Sequence, residues 1–203
     1  MSALLLASFL ALAASVQDPP ALPDGLFVPV TPTDTIESVT VGPIFEAYFL
    51  CSEHKAGTLT VTGDALGADC QVQSWAEGDG PMFAKPYRTD GATNEDWYGW
   101  GADVISPFDG VVLGLHVNPV ANTPGEMGQP PAGMVLIRRE DGVTVLLAHV
   151  DEPVVREGET VRRGQKVGAV GNNGMSRNPH IHIGAYRGTT PLQIRWDLTA
   201  ETP

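Results

Sequence analysis

Glycine and proline interrupt this 203-residue chain so often that long regular helices have little room to form. The sequence contains 23 Gly and 17 Pro, and no long segment carries an apolar stripe of helical period. Both residues disfavour helix interiors, whereas short strands separated by turns accommodate them. The chain is therefore predicted to be mainly β, with an antiparallel sheet or sandwich as its architecture.

Short apolar runs bounded by turn residues indicate where the strands lie. Asp141-Gly142 is a typical hairpin turn, and it separates two apolar runs that would form its arms. The predicted strands of the second half are Val111–Val117, Met134–Arg138, Val143–Val150 and Pro191–Trp196. Two strand-like runs, Ile44–Leu50 and Thr58–Thr62, precede them.

An apolar run over Ala3–Ala14 has the length of the hydrophobic part of a signal peptide and is too short to span a bilayer. No Lys or Arg precedes it, so an uncleaved membrane anchor is the alternative. We expect a signal peptide over residues 1–15, a Pro-rich linker over 16–35, a small N-terminal β region over 36–75 and the main domain over 76–203. The protein is then exported, to the periplasm or outside the cell, with no stable membrane insertion after cleavage.

The chain is acidic, with 12 Lys+Arg against 24 Asp+Glu and a formal net charge of −12. Binding to a nucleic-acid backbone depends on clustered cationic side chains. A nucleic-acid partner is therefore not expected.

Cys51 and Cys70 are the two cysteines of the chain. An even number in an exported protein predicts one disulfide, which would contribute about 3 kcal/mol by closing a loop of about 20 residues. Two free thiols are the alternative for a protein that is not exported. Their spacing does not fit a C-x-x-C redox or zinc motif.

The most informative tripeptide is His180-Ile181-His182. Residues two apart on a strand share a face, so both imidazoles would project together while Ile181 faces the core. Two imidazoles on one face suit a zinc site, or a metal ligand beside a general base. Two solvent-facing histidines on an edge strand are the alternative.

Three further elements precede this tripeptide in a characteristic order. Asp103 lies in GWGADVISPFDGVV, His149 ends the strand in LLAHV, and VREGETVRRGQKVGAV follows. This order, over about Tyr98–Ile183, resembles the lysostaphin/LytM-type zinc metallopeptidases of metallopeptidase family 23. The resemblance implies the β-sandwich of that family and cleavage of peptide bonds in peptidoglycan.

The resemblance also implies roles for four side chains. Asp103 and His182 would be zinc ligands, and His149 and His180 would be the catalytic pair that orients and deprotonates the attacking water. Zinc would lower the pKa of that water and polarise the scissile carbonyl.

The sequence departs from the family pattern at one position. The first zinc histidine of the family lies four residues before the aspartate, where this chain has Gly99. Catalytic zinc normally has three protein ligands, so another side chain must complete the site if zinc is bound. The candidate replacements are Asp96 and Glu95, just upstream, and, less plausibly, His116 and His54. An ordinary solvated loop is the alternative for Glu95 and Asp96, and we prefer it to any single replacement.

Two other functions are compatible with these features. A catalytically degenerate domain of the same fold would bind peptidoglycan or regulate another cell-wall hydrolase, and Gly99 favours it. The segment 154–170 also resembles the half-barrel of biotinyl and lipoyl carriers and of a sugar phosphotransferase component. That interpretation is weaker, because Lys166 lies inside the strand pattern rather than at an exposed hairpin tip.

Overall fold

A computed structural model of the chain describes residues 26–75 and 83–199. The predicted signal peptide lies outside these residues, as does the first part of the predicted linker. Within them no helix has the length and apolar character that crossing a membrane requires.

The described residues form fourteen strands and one short 3-10 helix, Asn94–Asp96. The strands are β1 (Ser38–Val41), β2 (Phe49–Glu53), β3 (Ala68–Val72), β4 (Ser74–Trp75), β5 (Ala84–Lys85), β6 (Asp103–Ile105), β7 (Gly110–His116), β8 (Met134–Arg138), β9 (Val143–Ala148), β10 (Val150–Asp151), β11 (Thr160–Val161), β12 (Lys166–Val170), β13 (Ile181–Arg187) and β14 (Thr190–Trp196). The predicted mainly-β fold is confirmed.

Nine strands form one large sheet in the order β1-β14-β13-β9-β8-β7-β11, with β3 also paired to β13 and β2 paired to β3. Only β1 and β14 are a parallel pair in this sheet; the other neighbours run antiparallel. The sheet therefore contains strands from both sides of residue 75. A small sheet, β10-β12-β6, and the pair β4-β5 complete the structure.

Strand β13 organises the sheet, because it pairs with three other strands. Its first half, Ile181–Ile183, pairs with β3, and its second half, Ala185–Arg187, pairs with β14. The opposite edge pairs with β9 along the whole length from His182. Gly184 lies between the two halves, and a Cβ there would collide with the backbone carbonyl of Gly63. The absence of a side chain at this point lets the N-terminal region approach the sheet closely.

The two faces of the large sheet are covered differently. Alternate residues of β8, β9 and β13 enter the main core, which also contains Ile44 and Phe45. The other face carries a smaller cluster: Leu26, Met134, Leu136, Leu146, Ala148 and Tyr186. Leu26 comes from the N-terminal segment, which crosses this second face.

The Asp141-Gly142 hairpin between β8 and β9 is confirmed, and Gly142 adopts a positive φ of 84° there. The predicted disulfide is also confirmed: Cys51 and Cys70 are directly opposite one another on β2 and β3 and are bonded. The final strand is β14, as expected.

Two predicted N-terminal strands differ from the structure. In Ile44–Leu50 the strand begins only at Phe49, and Ile44 is fully buried in the core outside any strand. The run Thr58–Thr62 forms turns and one isolated bridge between Val61 and Pro29. Proline has no N–H to donate, so it limits continuation of a ladder at this bridge.

Candidate metal centre and active site

His182 lies on β13 between two other strands. Its direct partners are Ala148 on β9 and Asp69 on β3. Directly opposed residues of antiparallel strands present their side chains on the same face, which brings the Asp69 carboxylate beside the His182 ring. Ile181 is fully buried in the main core, as the alternation of the sequence predicts.

Three imidazoles converge on one oxygen of Asp69. Oδ1 of Asp69 lies 2.9 Å from Nδ1 of His182, 3.3 Å from Nε2 of His54 and 3.5 Å from Nε2 of His180. Burial raises the pKa of Asp69, but hydrogen bonds from His180 and His182 outweigh burial and hold that pKa well below its ordinary value. The carboxylate is therefore ionised at neutral pH and is the negative centre of the cluster.

The disulfide hairpin brings two members of this cluster into place. His54 follows β2 directly, and its N–H donates to the Gly67 carbonyl at 2.8 Å. Asp69 precedes Cys70, which is bonded to Cys51 across the β2–β3 pair. The covalent cross-link therefore lies within three residues of both side chains.

His54, Asp69 and His182 have a geometry that suits a metal ion. Their ligand atoms all lie within 4.8 Å of one another. A tetrahedral zinc ion with bonds near 2.0 Å brings its ligand atoms to about 3.3 Å from each other. The distances from Asp69 Oδ1 to His182 Nδ1 and His54 Nε2, 2.9 and 3.3 Å, are already of this size.

Unpaired polar atoms support the same conclusion. Within residues 26–75 and 83–199, Nε2 of His54 is buried without a hydrogen-bond partner. A buried imidazole nitrogen without a partner is costly, and coordination of a cation would satisfy it. Two histidines and one carboxylate are also a known ligand set of catalytic zinc, so the donor set fits this metal.

Asp64 lies on the other side of the His182 ring. Its Oδ1 is 3.6 Å from Nε2 of His182, an atom that is buried and has no hydrogen-bond partner among the described residues. Burial raises the pKa of Asp64, although His182 and His54 partly oppose this effect. Metal-bound histidines commonly donate their second N–H to a carboxylate, and Asp64 is positioned for that after a shift of about half an ångström.

His149 and His180 form a second pair, with ring centroids 4.6 Å apart. Nδ1 of His149 lies 2.8 Å from the Asn173 carbonyl, and Nδ1 of His180 lies 2.8 Å from the Asn178 carbonyl. A carbonyl can only accept, so both Nδ1 atoms carry the proton and Nε2 of His149 is left unprotonated. Burial, reinforced by the nearby His180, lowers the pKa of His149 to about 3.

The loop after β12 fixes the orientation of His149. The Asn173 side chain accepts from the Gly133 N–H at 2.7 Å and donates to the Val150 carbonyl at 3.2 Å. Its own carbonyl receives the His149 ring. These contacts hold the loop against the ring of His149 and fix its orientation.

Asp103 lies in a different environment. It begins β6 in the small sheet, its side chain is exposed, and its carboxylate pairs with Lys166 at 2.5 Å. Gly99 is near Val72, Val170 and the Pro179 carbonyl, all more than 3.5 Å from where its Cβ would be. The structure therefore brings His149, His180 and His182 together, while the Asp103 carboxylate is occupied by Lys166.

Asp96 stabilises its own loop. Its carboxylate accepts the backbone N–H groups of Thr89 and Gly91. These hydrogen bonds more than offset desolvation, and the pKa of Asp96 is lowered. Glu95 shares the short 3-10 helix with Asp96, and His116 ends β7.

Asp64 and Asp69 are the site residues that sequence reasoning missed. The tripeptide Gly-Ala-Asp occurs twice, as Gly67–Asp69 and as Gly101–Asp103. Each has glycine two residues before the aspartate, and neither has histidine four residues before it. This repetition could have pointed to Asp69 as a second candidate for the aspartate ligand, but the sequence analysis named only Asp103.

A cavity of about 550 Å³ opens at the cluster. Its lining includes six of the side chains described above: His54, Asp64, Asp69, His149, His180 and His182. Neither Asp103 nor Asp96 lines it. The cavity therefore brings together three side chains that could bind a cation and the imidazoles of His149 and His180. Metal-dependent hydrolysis uses groups of these kinds.

The second half of the chain is similar to a known peptidase family. Residues 97–194 match the sequence model described as "Peptidase family M23". A protein of Haemophilus influenzae described as "Uncharacterized metalloprotease" is 30% identical over 98 residues. That similarity covers 47% of this chain and 19% of the Haemophilus protein, so the chain spans only a fifth of that relative's length. Residues 97–194, just under half of the chain, are therefore similar to peptidase family M23.

Solved structures of similar shape include two peptidases. A mutant catalytic domain of the prophage-encoded M23 protein EnpA from Enterococcus faecalis has 18% identity and a TM-score of 0.47, covering 72% of this chain and 87% of that one. The catalytic domain of lysostaphin from Staphylococcus simulans has 20% identity and a TM-score of 0.37, covering 59% and 86%.

Proposed function

We propose that this protein is an exported zinc metallopeptidase that cleaves peptide bonds in peptidoglycan. The observation that carries the proposal is the convergence of His54 and His182 on Asp69, beside the imidazoles of His149 and His180. The similarity of residues 97–194 to the M23 family supports peptide hydrolysis, and the predicted signal peptide supports export. Peptidoglycan peptides are proposed as the partner from the family resemblance.

His54, Asp69 and His182 would hold the zinc ion, with Asp64 supporting the His182 ring. A zinc ion bound there supplies a Lewis acid that polarises the scissile carbonyl and acidifies an attacking water. This assignment replaces the pair Asp103 and His182 and the candidate Asp96 that the sequence suggested.

His149 is proposed as the general base. Its Nδ1 proton is held by the Asn173 carbonyl, so Nε2 has a free lone pair to accept a proton from the attacking water. A neutral imidazole is required for this step, and burial keeps His149 neutral.

His180 is proposed to orient the substrate beside His149. The Asn178 carbonyl holds its Nδ1–H, and Ser176 Oγ lies 3.3 Å from the same nitrogen. The ring is therefore fixed with Nε2 towards the cluster, where it can contact a substrate beside His149.

The test is release of new amino groups from purified peptidoglycan by the full chain, produced in an oxidising compartment and supplied with zinc. We expect release that a chelator abolishes and added zinc restores. His182→Ala and His149→Ala should reduce the rate by at least about 100-fold. His116→Ala is the matched control, because His116 does not line the cavity.

Two outcomes would contradict the proposal. Release that survives chelation would exclude metal-dependent hydrolysis by this site. Binding to peptidoglycan without release, in protein that contains zinc, would favour the alternative function of a binding or regulatory domain for another cell-wall hydrolase.

A further inference from the structure

Part of the lining of the active-site cavity is apolar. It includes six side chains, here called the apolar wall: Phe27, Leu59, Met127, Pro130, Met134 and Met175. Met134 is buried, whereas Met127 is 45% and Met175 60% exposed. Exposed methionines beside a reactive site are typical of a surface that binds an apolar group.

The apolar wall and the catalytic histidines line the same cavity of about 550 Å³. A cavity of this size with one apolar side and a few convergent polar groups is suited to a small ligand or a short peptide segment. An extended peptide advances about 3.3 Å per residue. A substrate whose scissile bond lies at His149 and His182 would therefore place a neighbouring side chain against the wall.

The charges around the cavity restrict that side chain further. Asp64 and Asp69 are the acidic groups that line it, and Arg177 is the cationic one. The apolar wall itself offers no charged partner.

We propose that the apolar wall is a specificity subsite that takes a bulky uncharged side chain, such as Leu or Met, beside the scissile bond. This inference rests on the proposed function only in placing the cleaved bond at the histidines, and it extends the substrate class from peptidoglycan to peptides that carry such a side chain. It differs from a preference for glycine, which would leave the wall without contact.

The test uses acetylated, amidated pentapeptides Gly-Gly-X-Gly-Gly with X as Gly, Leu, Met or Glu. Binding to the full-length protein is measured by calorimetry without zinc, and cleavage is measured with zinc. We expect the Leu and Met peptides to bind at least about tenfold more tightly than the Gly peptide. The Glu peptide should bind no better than the Gly peptide.

Variants assign the preference to the wall. Met127→Asp and Met175→Asp should each reduce the advantage of Leu over Gly to less than about threefold, because a carboxylate would replace an apolar contact. Val120→Asp is the matched control: Val120 is 64% exposed in the same β7–β8 connection as Met127, but it does not line the cavity. It should leave the preference unchanged.

The outcomes separate this inference from the proposed function. Equal binding of the Gly, Leu and Met peptides, or a loss of preference in Val120→Asp as large as in Met127→Asp, would overturn the subsite. Preferential binding of Leu that depends on Met127 and Met175 would support the subsite even if peptidoglycan were not cleaved.

Discussion

The two Gly-Ala-Asp tripeptides of this chain have the same sequence and different surroundings. Asp69 lies on β3, opposite His182, where imidazole nitrogens approach its carboxylate. Asp103 begins β6 in the small sheet, where it is exposed and paired with Lys166. Strand pairing, rather than the local motif, therefore determines which aspartate contacts the histidines.

The glycines of the two tripeptides are required for different structural reasons. A Cβ at Gly67 would lie 2.8 Å from Nε2 of His182 and 2.8 Å from the Ile183 carbonyl, so this glycine permits close packing of β3 on the site. Gly101 has open space around it but a φ of 71°, so it permits a backbone conformation. One glycine therefore belongs to the site and the other to a turn.

The family domain over residues 97–194 supplies His149, His180 and His182. His54 and Asp69 come from the disulfide hairpin that precedes it. In our account the hairpin completes the metal centre that Gly99 leaves short of a ligand. The following predictions test this difference between the Asp69 region and the Asp103 region.

The largest predicted effect is on the pH dependence of stability. Burial lowers the pKa of His149 to about 3 in the folded protein, against 6.5 ordinarily, so the unfolded chain binds the proton more readily. The resulting stabilisation is complete above pH 6.5 and is lost as the pH falls towards 3, by about 5 kcal/mol over that interval.

His149→Asn tests this prediction, because asparagine tolerates the positive φ of 65° and can donate to the Asn173 carbonyl. Urea unfolding of the metal-free protein at pH 7 and pH 4 should give about 3 kcal/mol less acid destabilisation in the variant. An equal loss in wild type and variant would contradict the prediction. The control is His116→Asn, which should behave as wild type.

Removing the disulfide should be the next largest effect. Cys51 and Cys70 are 19 residues apart, and Cys51→Ala with Cys70→Ala should lower the free energy of unfolding by about 3 kcal/mol. Because the hairpin holds His54 and Asp69, zinc affinity should fall as well. Thermal unfolding and a competition titration with a zinc indicator measure both quantities. Unchanged zinc affinity in a folded double variant would show that the cross-link does not position the ligands.

A pair of glycine substitutions distinguishes close packing from backbone conformation. Gly67→Ala should cost about 1–3 kcal/mol and weaken zinc binding, because the methyl group displaces the His182 ring or the Ile183 backbone. Gly101→Ala should cost about 1–2 kcal/mol through its left-handed backbone and leave zinc binding unchanged. Calorimetry with and without zinc measures each. A loss of zinc affinity in Gly101→Ala alone would reverse the assignment.

The sequence was sufficient for the local features of the fold. Glycine and apolar spacing predicted the short strands, Asp141-Gly142 predicted the hairpin, and the alternation around Ile181 predicted which residue faces the core. Each of these depends on residues close together in the chain.

The pairing of β3 with β13 could not be predicted in this way. It joins Asp69 to His182 across more than 100 residues, and no local pattern specifies the register of such a pair. For the same reason His54 was only a minor candidate among the replacement ligands. The family pattern predicted Asp103 as the ligand instead, but its carboxylate is paired with Lys166.

Zinc content of paired aspartate variants tests the central claim most directly. The full chain, Asp69→Asn, Asp103→Asn and a His182→Ala reference would be desalted after zinc loading and analysed by elemental mass spectrometry. The account predicts about one zinc per chain in the wild type and in Asp103→Asn, and almost none in Asp69→Asn and in His182→Ala. Zinc retained in Asp69→Asn but lost in Asp103→Asn would contradict it.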